Sequence, residues 1–212
     1  KKVALELNAD VSAAVFGEDA ENIGHSAISL GADRVYTSSH PLLSKGTADA
    51  HVYALAQICR DVTPTAVLTA KTPLGRVVGP RLAYRLGYGV AQDCMDLSAD
   101  AQTEKITVTR PVYGGNAVAR FTFTHSENQV AVIRVKVFPP SDYDQSRVGE
   151  IRSLEISIDE KEIKSNLVES VKEESEGVKL EDATVIIGGG RGLGGPEPFE
   201  QLEELAKLFN GA

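Results

Sequence analysis

The residues best equipped for chemistry in this 212-residue chain stand in one short run, Gly188-Gly189-Gly190-Arg191-Gly192-Leu193-Gly194-Gly195. Glycines let a backbone approach a ligand closely, and an arginine among them supplies a fixed positive charge for an oxyanion. Gly190, Gly192 and Gly195 satisfy G-x-G-x-x-G, the spacing with which a strand-to-helix turn cradles a pyrophosphate. The dinucleotide reading also asks for a second strand closing on an acidic residue roughly 20 positions further on, and Ala212 comes first. A turn that uses glycine for steric reasons alone stays open beside it. Glu197 and Glu200 fall in the first turn of the helix expected next, where they complement its dipole and repel an incoming anion. Arg191, rather than the helix end, is therefore the charged contact to expect.

A second candidate edge is Thr69-Ala70-Lys71-Thr72-Pro73-Leu74-Gly75-Arg76, which follows an apolar run and so would lie outside the carboxyl end of a strand. Thr72 suits a helix cap and Pro73 a first helical position. Arg76, Arg81 and Arg85 on the following helix are functional candidates, with surface or packing salt bridges as the plainer alternative. Cys59 and Cys94 are too far apart for a C-x-x-C pair and read as small buried residues in a reducing compartment. His25, His40, His51 and His125 are scattered without metal-ligand spacing. A net charge of -8 argues against nucleic acid or an anionic membrane surface as partner, and no apolar run approaches the roughly 20 residues of a membrane span.

The elements that must position these residues follow from periodicity. Lys1 to Asn8 reads as the end of an amphipathic helix, Val11 to Phe16 as a buried strand, and Glu18 to Leu30 as a helix capped by Gly31. A short strand over Arg34 to Tyr36, a helix from about Thr47 to Arg60 and a strand over Thr65 to Thr69 come next. The helix after Thr72 is interrupted or kinked at Pro80 and ends at Gly87. Strands alternating with helices predict an α/β fold, a parallel sheet flanked by helices.

Beyond Gly89 the period changes to that of strands, over Val90 to Leu97, Lys105 to Val112, Ala117 to Thr124 and Val130 to Val137, read as an appended antiparallel meander closed by Pro139-Pro140. Ile151 to Asp182 carries ten acidic and five basic residues, a net five of the chain's eight negative charges, and reads as a solvated connector. Within it, Ser153 to Ile158 suggests one more strand and Glu169 to Gly177 a linker. Val185 to Ile187 then enters the glycine run as a buried strand. A helix follows, with Pro198 in its first turn and Phe199, Leu202, Leu205, Ala206 and Phe209 on its apolar face.

Three stretches, in this order and spacing, resemble the alpha subunit of the electron transfer flavoproteins. They are Thr72-Pro73-Leu74-Gly75-Arg76 through Pro80-Arg81-Leu82-Ala83 to Leu86-Gly87 and Asp93; Arg110-Pro111-Val112-Tyr113-Gly114-Gly115-Asn116-Ala117; and Leu180-Glu181-Asp182-Ala183 into Gly189-Gly190-Arg191-Gly192-Leu193, with Phe199 beyond. The sequence departs from that pattern at Pro73, where serine is usual, and at Gly194-Gly195-Pro196-Glu197-Pro198, where Lys-Ser-x-x-Asn is common.

The resemblance implies an N-terminal domain, residues 1–178, with an adenine nucleotide alpha hydrolase-like α/β fold that meets a beta subunit. Residues 179–212 would open the C-terminal FAD-binding domain with its first strand and helix. It implies that Arg191, flanked by Gly190 and Gly192, contacts FAD, that no residue is catalytic and none binds a metal. The function implied is that of an electron carrier, not an enzyme: a heterodimer taking electrons from acyl-CoA or other flavin dehydrogenases, as in fatty acid beta-oxidation. Its setting would be the cytoplasm, or the mitochondrial matrix in a eukaryote. The family's first strand would precede Lys1, and most of its FAD ligands, in a Ser-Arg-containing stretch, would follow Ala212. The chain is thus expected to be a fragment that binds FAD poorly alone. A non-redox assembly module is the rival reading. An NAD-linked dehydrogenase lacks an accompanying acid, base or nucleophile.

Overall fold

A computed structural model describes residues 1–44, 46–165, 167–169, 171, 178, 180 and 182–212. It divides into two compact units, Lys1–Leu167 and Val168–Ala212. The linker expected at Glu169 to Gly177 falls largely outside the described residues.

The first unit is mixed α/β. Its helices are α1 (Lys2–Leu7), α2 (Ala20–Ser29), α3 (Pro41–Ser44), α4 (Ala48–Val62) and α5 (Gly75–Leu86). Its strands are β1 (Ser12–Phe16), β2 (Arg34–Ser38), β3 (Ala66–Ala70), β4 (Gly89–Cys94), β5 (Asp96–Asp100), β6 (Lys105–Val112), β7 (Ala117–Thr122), β8 (Gln129–Ile133) and β9 (Glu150–Ser153). In place of one parallel sheet there are two of three strands each, ordered β1-β2-β9 and β3-β8-β4, and an antiparallel sheet β5-β6-β7.

Strand alternation assigns the faces. Ala13 and Val15 of β1, Val35 of β2 and Ile151 of β9 pack with Ile28 of α2, whereas Phe16 and Tyr36 pack on the opposite side with Ala50, Ala54 and Ile58 of α4. α4 also meets α5 and β3 through Ala56, Cys59, Leu82 and Val67. α5 lies close on β3-β8-β4, and Gly79 permits it: a Cβ there would stand 2.6 Å from Val132 Cγ2 and 2.9 Å from Thr69 Oγ1. The other face of that sheet, through Ala91, Cys94 and Ala131, shares a core with Leu97, Ile106 and Val108 of the antiparallel sheet and Val3 of α1.

Several expectations are corrected. The run at Val130 to Val137 is not the last strand of a meander. β8 sits between β3 and β4 with Val130, Ala131 and Val132 fully buried, as suits an unbroken apolar run in a parallel sheet. The run at Val90 to Leu97 is two strands: Asp93 adopts φ 63, the β4 register shifts between Gln92 and Cys94, and the chain leaves one sheet for the other at Met95.

β1 is half-exposed rather than buried, since β2 is its only ladder partner among the described residues. Ser153 to Ile158 mostly lies beyond β9. Its alternation still buries Ile156 and Ile158, against α4, where Gln57 Nε2 donates to Ser157 O at 2.7 Å. α5 passes through Pro80 as one helix and ends at Gly87, φ 71, as its sequence indicates.

The second unit holds α6 (Pro198–Leu208), entered through the glycine run. No strand forms at 185–187 among the described residues. Ile186 is exposed, and the only backbone ladder there is with the end of the chain, Ile187 N donating to Ala212 O at 2.8 Å and Ala212 N to Val185 O at 3.0 Å. An apolar run of this kind makes a buried strand only between neighbouring strands, and among the described residues of this unit it has none.

Candidate functional site

The glycine run is shaped by two bonds. Gly190 is extended (φ -143, ψ -173), and a single turn over Arg191–Leu193 closes with Leu193 N donating to Gly190 O at 3.0 Å and Gly194 N to Arg191 O at 3.2 Å. Gly194 then takes the left-handed conformation, φ 81, that only glycine adopts without strain. Pro198 opens α6 with Glu200 in its first turn as expected, while Glu197 stands one position before it as the N-cap residue.

The glycines differ in what requires them. A Cβ on Gly189 would come within 2.5 Å of Leu202, 2.6 Å of Leu193 and 3.0 Å of Phe199, so this glycine seats the loop on α6. Gly190 and Gly192 are neither left-handed nor crowded: a Cβ on either meets nothing within 4 Å. The fold of the unit therefore gives no steric reason for glycine at these two positions. They flank Arg191, whose guanidinium is exposed and has no hydrogen-bond or ion-pair partner among the described residues. Gly190, Arg191, Gly194, Gly195 and Phe199 line an open recess of about 500 Å³.

The donor set suits one anionic group of an extended ligand, with backbone free to approach on both sides of a lone arginine and an aromatic ring at the rim. In this it fits the pyrophosphate or ring portion of a flavin nucleotide. The structure brings Gly190 and Arg191 to the recess itself and leaves Gly192 beside it. Phe199 is the residue that sequence reasoning assigned only to the packing face of α6. Its place in the first turn after the loop was the available signal.

Two of the three arginines of α5 are committed elsewhere. Arg81 pairs with Asp49, which is buried in the first turn of α4. Asp49 also accepts from Lys164 N at 2.8 Å and from Ser165 N and Oγ at 2.9 Å. Burial alone would raise the Asp49 carboxyl, but these donors, Arg81 first, bring it down to about 2. Arg85 lies 3.7 Å over the Tyr53 ring and 3.8 Å from Glu162. Arg76 is exposed. The plainer alternative, salt bridges that pack a helix, thus describes Arg81 and Arg85.

Thr72 caps as expected, its Oγ1 accepting from Gly75 N at 3.0 Å, with the helix proper starting two residues after Pro73. Cys59 and Cys94 are buried free thiols, and burial pushes Cys59 up to about 11. Among the described residues no group of His, Cys, Asp and Glu is placed to hold a metal ion, and no helix is long and apolar enough to cross a membrane.

Comparison with known proteins adds to this geometry. Residues 1–159 match the electron transfer flavoprotein domain. The chain is 33% identical over 211 residues to the electron transfer flavoprotein subunit alpha of Thermoanaerobacterium thermosaccharolyticum, covering 100% of this chain and 64% of that protein. It is 33% identical over 212 residues to the subunit of the same name from Megasphaera elsdenii, covering 99% and 63%. A protein of Anaerotignum propionicum named acryloyl-CoA reductase electron transfer subunit beta is 24% identical, covering 91% of this chain and 59% of that protein. The chain spans less than two thirds of the length of each. The domain match ends before the glycine run, whereas the alignments to the first two relatives extend through it.

Proposed function

The chain belongs to the electron transfer flavoprotein family, and on that premise we propose that it is part of an alpha subunit whose complete protein carries electrons on FAD. The observation that carries this reading is Arg191, without an internal partner among the described residues and flanked by two glycines at which a Cβ would meet nothing within 4 Å. FAD supplies the redox chemistry when bound. The part of this chain is to bring backbone close at Gly190 and Gly192 and to set the Arg191 charge against a negative group of the cofactor. In this proposal residues 1–178 are the domain that meets a beta subunit, and 179–212 open the FAD-binding domain. Acyl-CoA or other flavin dehydrogenases are the electron donors, in the cytoplasm or the mitochondrial matrix. The kinship with subunits named for electron transfer in several bacteria supports it.

The test uses the intact protein with the subunit that co-purifies with it, titrated separately with FAD and with NAD while flavin absorbance is followed. Saturable FAD binding, no competition from NAD and reduction of the bound flavin by a flavin dehydrogenase with its substrate are expected. Absence of FAD binding would leave the non-redox assembly module, and binding of NAD in place of FAD would point to a dehydrogenase.

A further inference from the structure

The glycine run has a carboxylate beside its recess as well as an arginine in it. A Cβ on Gly195 would stand 2.7 Å from Glu197 Oε2. With a carbon–carbon bond of about 1.5 Å, that puts the oxygen within roughly 4 Å of the Gly195 Cα. Gly195 is itself part of the recess wall, together with Gly190, Arg191, Gly194 and Phe199. Glu197 therefore stands against the wall that Arg191 also forms, where the chain enters α6.

Its place there is set by the backbone. Glu197 lies between Pro196 and Pro198, and each proline ring fixes its own φ. Phe199 N donates to Pro196 O at 3.0 Å and Glu200 N to Glu197 O at 3.2 Å, which closes the turn around it. Glu197 itself is helical, φ -58 and ψ -39. Rotation of its side chain is the main freedom left, so its charge stays near the recess. As N-cap it makes no side-chain bond to the helix, and it has no ion-pair partner among the described residues. Two opposite charges, Arg191 and Glu197, thus border one recess without pairing with each other.

Glu200, in the first turn of α6, adds a second carboxylate. Carboxylates at this end suit the helix dipole, and they use up the positive end that would otherwise attract an anion. A negative ligand group that reaches Arg191 therefore also meets repulsion from Glu197. Two unit charges some 6 Å apart in a watery setting interact strongly enough to change affinity about threefold. Each further negative charge on the ligand is penalised in the same way. We infer that Glu197 is a specificity-determining residue of this recess, a fixed negative charge that limits how much anionic charge a ligand can bring to Arg191. The inference rests on the flavin reading for its ligand, FAD, and adds to it a residue that works against binding.

The experiment measures the dissociation constant of FAD from the intact protein with its partner subunit, for wild type, Glu197→Gln and Glu204→Gln. It is run at low and at high salt, with the melting temperature of each flavin-free form. Glutamine keeps the size of the side chain and removes its charge. Glu197→Gln binds FAD about threefold more tightly than wild type at low salt, and the gain fades at about 1 M salt, where the Debye length is about 3 Å. Glu204→Gln, an exposed position about 10 Å further along α6, moves affinity far less. The flavin-free melting temperature of Glu197→Gln holds or falls slightly, since the lost charge complements the helix dipole. A merely structural role would lower stability and affinity together, so tighter binding separates the two. Equal or weaker FAD binding by a folded Glu197→Gln, or an equal gain in Glu204→Gln, would overturn the inference and leave the flavin reading standing. Absence of FAD binding by wild type would overturn both.

Discussion

The arginines around Asp49 and the arginine of the glycine run have opposite fates. Arg81 is spent inside the fold, on a buried carboxylate that also fastens Lys164 and Ser165 to α4. Arg191 is spent on nothing among the described residues, and its neighbours Gly190 and Gly192 have open space where a side chain would stand. Both arginines lie in stretches that resemble the same family. Sequence resemblance alone does not say which residues of a motif build the protein and which serve a ligand. Internal hydrogen bonding separates the two.

The contrast can be broken or sharpened by mutation. The largest effect is expected at Asp49. Asp49→Ala strands the Arg81 guanidinium and the N–H groups of Lys164 and Ser165, and should lower unfolding free energy by about 3 kcal/mol in urea denaturation, with FAD affinity of the folded protein unchanged. Gly189→Ala comes next, at about 1–3 kcal/mol of stability, because its methyl group would overlap Leu202, Leu193 and Phe199. Gly190→Ala is the sharpest contrast with it. One position along, it should change stability by about 0.5 kcal/mol or less, yet weaken FAD binding by keeping the cofactor from the backbone.

The smallest effect is a pH dependence. The folded Asp49 carboxyl lies at about 2, below its ordinary 3.8, so its contribution is complete above about pH 4 and drains away as pH falls toward 2. The difference in melting temperature between wild type and Asp49→Asn should therefore shrink over that interval and be constant above it.

Much of the first unit was legible in the sequence because its signals are local. Gly31 and Gly87 end their helices in the left-handed region, and the spacing of Ala50, Ala54 and Ile58 gives α4 its buried face. What escaped reading depends on partners distant along the chain. The run at β8 has the composition of either a meander strand or a buried parallel one, and only its neighbours β3 and β4 decide. The turn between sheets at Asp93 is made by a non-glycine residue at positive φ, held by Arg134 from 41 residues away. Asp49 reaches Lys164 and Ser165 across 115 and 116 residues, a pairing that no spacing rule contains. In the second unit the glycine run itself was legible, since its turn is closed by bonds a few residues apart, while a strand at 185–187 needed neighbouring strands that the described residues of this unit do not provide.

The central claim is that Arg191 is held free for FAD. The most direct measurement is the dissociation constant of FAD from the intact protein, with its partner subunit, for wild type and Arg191→Ala, alongside the melting temperature of each flavin-free form. The claim predicts an FAD dissociation constant raised about tenfold or more in Arg191→Ala, with the flavin-free melting temperatures equal. Equal dissociation constants, or a loss of stability that accounts for the weaker binding, would contradict it.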